Sequence, residues 1–234
     1  MKDVSTTTTA ARQVPGRRTT VALKIVMAVT GVIFLLFVLA HMYGNLKALG
    51  GQAAFDDYAH HLRVLGEPML PYSGFLWVMR ITLIVSLVLH VWSATVLARR
   101  NRGARSQKYV MKKSVVSTLS SRTMMWGGLA LLLFIVFHLL QFTTLTIEVG
   151  GSFDSPYDRL VAAFETWWLL AIYVVAMIAL GMHLRHGAWS AVQTLGWSSR
   201  SRQPAIKAAA LAVALLIVIG FLVPPLAIAF GLIN

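Results

Sequence analysis

VALKIVMAVTGVIFLLFVLAHM, residues 21–42, carries one formal charge, Lys24, near its start and one histidine, His41, near its end. The residues between are dominated by Leu, Val, Ile, Ala and Phe. Coiled as an α-helix at about 1.5 Å per residue, such a run is long enough to cross a hydrocarbon core of about 30 Å. Lipid offers no partner to backbone amides, so a spanning segment must satisfy its own hydrogen bonds, and a helix does so.

Four further runs have the same character: Gly74–Ala98, Met124–Leu145, Val161–Leu184 and Ala205–Phe230. Each is bounded by charged or Pro/Gly-containing sequence, and none alternates as the strands of an outer-membrane barrel would. With a hydrophobic fraction of 57%, the chain reads as an all-α integral membrane protein, a bundle of five transmembrane helices over residues 21–234. Residues 1–20 are polar and Thr-rich, with Arg17 and Arg18, and no small-residue cleavage site follows the first apolar run. They read as a disordered cytoplasmic tail and not as a cleaved signal. No repeat period is visible. In the link Tyr43–Ser73, Ala53–Leu65 reads as an amphipathic helix lying on the membrane surface and ended by Gly66 and Pro68. It would cap the outer end of the bundle, or act as a lid over a ligand.

Basic residues crowd three regions: the tail (Arg12, Arg17, Arg18, Lys24), the link between spans two and three (Arg99, Arg100, Arg102, Arg105, Lys108, Lys112, Lys113, Arg122) and the approach to span five (Arg185, Arg200, Arg202, Lys207). The other two links hold Asp56, Asp57, Glu67, Glu148, Asp154 and Asp158. The positive-inside rule then places the N-terminus in the cytoplasm and the protein in the cell membrane as a multi-pass chain. The net charge of +13 follows from these cytoplasmic flanks and suits anionic lipid; no nucleic-acid motif accompanies it. The chain has no cysteine, which excludes disulfides, covalently attached c-type haem and an iron–sulfur cluster held by this chain alone.

Spans one to four each contain one histidine: His41, His90, His138 and His183. Ionisable residues at membrane depth are rare and mark function. Following the topology, His41 lies roughly 25 Å along span one from Lys24, and His138 lies about as far along span three from Arg122. Spans two and four run the other way, and His90 and His183 come roughly 20–22 Å inward of the interfacial Trp77 and Trp168. Two level pairs result, His41 with His138 near the outer face and His90 with His183 near the inner. A bis-histidine haem needs two imidazoles at one depth on facing helices. The alternatives are interhelical hydrogen bonds and a zinc or copper site, which would want three or four ligands at one point. His186, three residues beyond His183, is a rival ligand on nearly the same helix face. His60 and His61 fall in the surface helix and are expected to face solvent.

Several stretches resemble a known family: HMYGNL at residues 41–46, YAHHLR at 58–63 with GEP at 66–68, LWVMR at 76–80, and above all HLRHGAWSAVQTLG at 183–196. Together they resemble the diheme cytochrome b anchor of succinate:quinone oxidoreductases, especially the five-helix, single-subunit anchors of Gram-positive bacteria, over roughly Leu23 to the end. The resemblance implies a proximal haem b on His90 and His183 and a distal haem b on His41 and His138. It also implies a flavoprotein carrying FAD and an iron–sulfur subunit as partners on the basic inner face, with menaquinone as electron acceptor. By that resemblance the chain does not oxidise succinate itself; it passes electrons onward. Flow toward an outer haem would draw on the membrane potential, about 2.3 kcal/mol per charge per 100 mV. Candidates for propionate or quinone contacts are Arg80, Arg63, Glu67, Ser121, Arg122, Arg185 and Ser190; for Arg80, snorkelling to the outer surface is the alternative. Some relatives carry a glutamate two residues before the fourth ligand, linked to proton transfer, where this chain has Gly181. Two other functions stay open: the cytochrome b of a different membrane dehydrogenase, and a haem-free structural subunit.

Overall fold

The computed structural model describes the backbone of residues 16–103 and 119–233, with side chains over 20–102 and 124–233. The first part of the expected tail, and Arg12, Arg105, Lys108, Lys112 and Lys113, lie outside the described residues. Among the described residues seven α-helices follow in order: α1 (Gly16–Leu46), α2 (Gly51–Val64), α3 (Gly74–Gly103), α4 (Leu119–Phe142), α5 (Pro156–Glu165), α6 (Trp167–Thr194) and α7 (Gln203–Ala229). A short 3-10 turn, Lys47–Gly50, joins α1 to α2, and no strand occurs among the described residues.

Five of the helices, α1, α3, α4, α6 and α7, are long and apolar enough to cross a bilayer. Their outward faces are apolar as well. Along α3, Val78, Ile81, Val85, Val88 and Trp92 are exposed at spacings of three and four residues, one continuous stripe of the helix surface. Such a stripe is foreign to water-facing helices and suits lipid. The opposite stripe of α3 holds His90 between the buried Ser86 and Ser93, small residues that let helices approach.

The expected spans and the observed helices differ most at the fourth. A single run from Val161 to Leu184 was expected, but the chain breaks at Thr166, where the backbone turns extended (φ −86°, ψ 105°). Before the break, α5 is a separate amphipathic helix. Pro156 occupies its first turn and the Ser155 hydroxyl accepts hydrogen bonds from the amides of Tyr157 and Asp158, a complete N-terminal cap. Apolar residues of α5 resembled the start of a span because its inner face is buried: Tyr157, Leu160, Ala163 and Phe164 pack with Ala48, Leu169, Tyr173 and Ile228. After the break, α6 continues to Thr194, well past Leu184, because helical hydrogen bonding need not stop where the apolar window does. The surface helix expected over Ala53–Leu65 is α2, Gly51–Val64.

Helices α2 and α5 are tied across one end of the bundle. The Ser155 hydroxyl donates to Asp56 Oδ2 at 2.6 Å, and the Tyr157 amide donates to Asp56 Oδ1 at 3.1 Å. Among the long helices, α1 packs on α3, α6 and α7, and α6 packs on α1, α4 and α7. Helices α1 and α3 run antiparallel, as do α6 and α7: Arg100, late in α3, donates to the Thr20 hydroxyl early in α1 at 3.0 Å, and Trp189, late in α6, donates to Gln203 early in α7 at 3.0 Å. By contrast α1 and α4, and likewise α3 and α6, make little close backbone contact. Those two loosely approached pairs carry the histidines.

Candidate functional site

His41 of α1 and His138 of α4 face one another with ring centres 5.8 Å apart and planes at 75°. Aromatic rings enclose them. Phe37, one turn before His41, stacks on it at 5.3 Å with planes 11° apart; Phe221 of α7 stands 5.7 Å from His41. Phe134 and Phe142, one turn either side of His138, lie 5.8 and 5.5 Å from that ring. Tyr173 of α6 places its hydroxyl 3.0 Å from His138 Nδ1 and donates to Gln141 Oε1 at 2.9 Å.

His90 of α3 and His183 of α6 form the second pair, with ring centres 6.3 Å apart and planes at 54°. The Thr30 hydroxyl of α1 lies 2.9 Å from His90 Nδ1, and Phe34 meets His90 edge-on at 5.9 Å. His183 Nδ1 is buried with no hydrogen-bond partner. Two glycines flank these rings. A Cβ on Gly31 of α1 would lie 3.7 Å from His90 Cε1, and one on Gly128 of α4 would lie 3.7 Å from His183 Cε1. Space beside both rings is therefore kept open by the smallest residue.

The two pairs lie at different depths. Thr30, level with His90, precedes His41 by eleven residues of α1, and Gly128, level with His183, precedes His138 by ten residues of α4. At about 1.5 Å per residue, each helix independently sets the levels roughly 15 Å apart. Among the described residues, no three His, Cys, Asp or Glu side chains converge on a point that would hold a metal ion. The donor set therefore lacks the three or four ligands of a tetrahedral site. It does fit axial ligation of a planar cofactor. Imidazole nitrogens bound at about 2 Å on opposite sides of one metal put the ring centres roughly 6 Å apart, which the observed 5.8 and 6.3 Å approach. Aromatic walls around His41 and His138 and flanking glycines beside His90 and His183 leave a setting that a planar cofactor held between two imidazoles would fit.

His186 is the lesser ligand candidate, because its ring turns to Trp189 at 5.7 Å. His60 and His61 are exposed on α2. The polar candidates are scattered. Arg80 lays its guanidinium over the Trp77 ring at 5.2 Å, Arg63 donates to the Ala59 carbonyl within α2 at 2.8 Å, and Glu67 is exposed in the turn after α2. Arg185 is exposed and Ser190 half-buried on α6. Ser121 and Arg122 begin α4, with side chains outside the described residues. At Gly181 a Cβ would come within 2.9 Å of Val218 Cγ2 on α7, so close packing occupies the place where some relatives of the resembled family have glutamate.

Thr30, Tyr173, Gln141, Gly31 and Gly128 were not singled out from sequence. Thr30 had a visible signal, as the only polar side chain between Ile25 and Ala40. Gln141 follows His138 by three residues, hence on the same helix face. It also borders a cleft at the capped end, lined with Phe142, Ile147, Val149, Phe153 and Arg159. The chain finds no match among family models, curated proteins or solved structures.

Proposed function

We propose that this chain is a diheme membrane cytochrome b, the anchor subunit of a succinate dehydrogenase that delivers electrons to menaquinone. The observation that carries the reading is the pair of facing histidines at each of two depths, 5.8 and 6.3 Å between ring centres, on helices that alternate along the chain. His90 and His183 would hold the proximal haem b, and His41 and His138 the distal one. Haem supplies a one-electron carrier, which neutral imidazole and apolar helix faces cannot be by themselves.

The chain's own residues do the rest. Phe34, Phe37, Phe134, Phe142 and Phe221 keep water from the imidazoles, and a dry apolar shell controls the properties of such a site. Helices α2 and α5 close the end beside His41 and His138. At the other end, exposed Arg99, Arg100, Arg102, Arg200, Arg202 and Lys207 form the basic surface on which the flavoprotein and iron–sulfur subunits would dock, in the cytoplasm by the positive-inside rule. The resemblance of the AVQTLG run at residues 191–196 favours succinate dehydrogenase over other membrane dehydrogenases.

The test is purification of the complex in mild detergent, dithionite-reduced minus oxidised spectra, a pyridine haemochrome assay and identification of co-purifying subunits. Two b haems per chain with a succinate-oxidising flavoprotein are expected. No haem in the intact complex would leave a structural subunit; two haems with another dehydrogenase would keep the cytochrome and remove the succinate assignment.

A further inference from the structure

Each histidine pair has one ring anchored by a hydroxyl and one that is not. Thr30 Oγ1 lies 2.9 Å from His90 Nδ1 and, in the same position, 2.8 Å from the Val26 carbonyl and 3.2 Å from that of Met27. A threonine hydroxyl has one proton and two lone pairs, and a carbonyl oxygen can only accept. The proton therefore goes to the α1 backbone, and the oxygen presents a lone pair to His90. With the hydroxyl proton so placed, all three contacts are satisfied when Nδ1 of His90 carries the ring proton, which leaves the lone pair of the neutral ring on Nε2.

The same arithmetic holds at the other level with different residues. The Tyr173 hydroxyl donates to Gln141 Oε1 at 2.9 Å and stands 3.0 Å from His138 Nδ1. Its single proton is committed to the amide oxygen, so it accepts from His138 Nδ1–H, and Nε2 is again the free lone pair. Neither relay touches the opposite ring. His41 rests on Phe37, and His183 Nδ1 has no partner.

We propose that Thr30, and Tyr173 together with Gln141, are positioning residues that fix the ligating tautomer of His90 and His138 and set the reduction potentials of the two sites separately. The inference rests on the haem reading above. A donated Nδ1–H makes an imidazole a more basic ligand, and a more basic ligand favours the ferric state. Removing the acceptor therefore raises the potential of that site alone. Tyr173 acts through the longer relay: its own donation to Gln141 enriches the oxygen that His138 meets.

The experiment is an optical redox titration of the purified complex carrying Thr30→Val, Tyr173→Phe or Gln141→Leu, with low-temperature EPR of the ferric haems. Thr30→Val is expected to raise one midpoint only, that of the haem lost in His90→Ala. The shift should reach up to about tenfold in the ferrous-to-ferric ratio at fixed potential, about 59 mV for one electron. Tyr173→Phe should raise only the other midpoint, and Gln141→Leu should raise that same one by less. Thr30→Ser, which keeps the hydroxyl, should restore the original potential and EPR signal even if Thr30→Val assembles poorly. Two haems with unmoved potentials in Thr30→Val and Tyr173→Phe, or equal shifts at both sites, would overturn the inference and leave the haem reading standing. A native complex without haem would overturn both.

Discussion

His90 and His183 face each other at 6.3 Å, although the helices that carry them, α3 and α6, make little close backbone contact. The same is true of His41 and His138 on α1 and α4. In a bundle held together by packing, two loosely approached helix pairs, each with imidazoles facing across it, are the feature from which the following expectations derive.

Each histidine should be paired in its effect with one other and no more. His90→Ala and His183→Ala are expected to abolish the same haem, and His41→Ala and His138→Ala the other, each leaving about half the haem per chain. His186→Ala should leave both, since that ring lies against Trp189. Pyridine haemochrome and difference spectra of the five purified variants decide the grouping; loss of the same haem in His41→Ala and His90→Ala would dissolve the two-level arrangement.

Gly128 should tolerate one methyl and no more. A Cβ at 3.7 Å from His183 Cε1 is ordinary van der Waals contact, and alanine is favoured over glycine inside a helix by about 1 kcal/mol. Gly128→Ala is therefore expected to keep both haems, whereas Gly128→Leu fills the space beside His183 and should lose the haem at that level alone. Haem content and the remaining α-band after purification report the difference.

The tie between α2 and α5 should matter for stability and not for haem. Ser155→Ala removes the cap of α5 and the donor to Asp56, and loss of such a cap costs about 0.5–2 kcal/mol. Thermal unfolding of the detergent-solubilised chain should shift downward with haem per chain unchanged. An unshifted transition would mean that the capped end is not part of the cooperative unit.

At Gly181 the expectation is steric. Alanine there would bring its Cβ to 2.9 Å from Val218 Cγ2, and a β-branched side chain on a helix has little rotamer freedom with which to withdraw. Overpacking of this kind costs about 1–3 kcal/mol. Gly181→Ala should lower the thermal midpoint, and Val218→Ala in the same chain should recover part of the loss.

The five spans and the level histidine pairs were legible because they rest on length and on direction of travel, which the bilayer imposes on any sequence that crosses it. Span edges were less legible. The Leu160–Phe164 segment is apolar because it is buried beneath the capped end, and hydropathy does not distinguish burial in protein from burial in lipid; hence the break at Thr166 passed unseen. Thr30 and Tyr173 escaped for another reason. A lone threonine in an apolar helix ordinarily bonds back to its own carbonyls, and only the neighbouring helix shows that the same oxygen also meets His90. Among the polar candidates, charge made Arg63 and Arg80 conspicuous, but sequence does not show their present partners: the first is bound within its own helix and the second lies on an indole.

The bridging partners interleave along the chain: His41 joins His138, and His90, which lies between those two, joins His183. A nascent polypeptide entering the membrane one helix at a time has both members of the first couple as soon as α4 is inserted, while His90 must wait for α6. The His41–His138 level can thus be assembled earlier in biogenesis than the His90–His183 level. Once both levels are assembled, neither terminal pair of long helices, α1 with α3 or α6 with α7, can be withdrawn without parting a facing histidine pair.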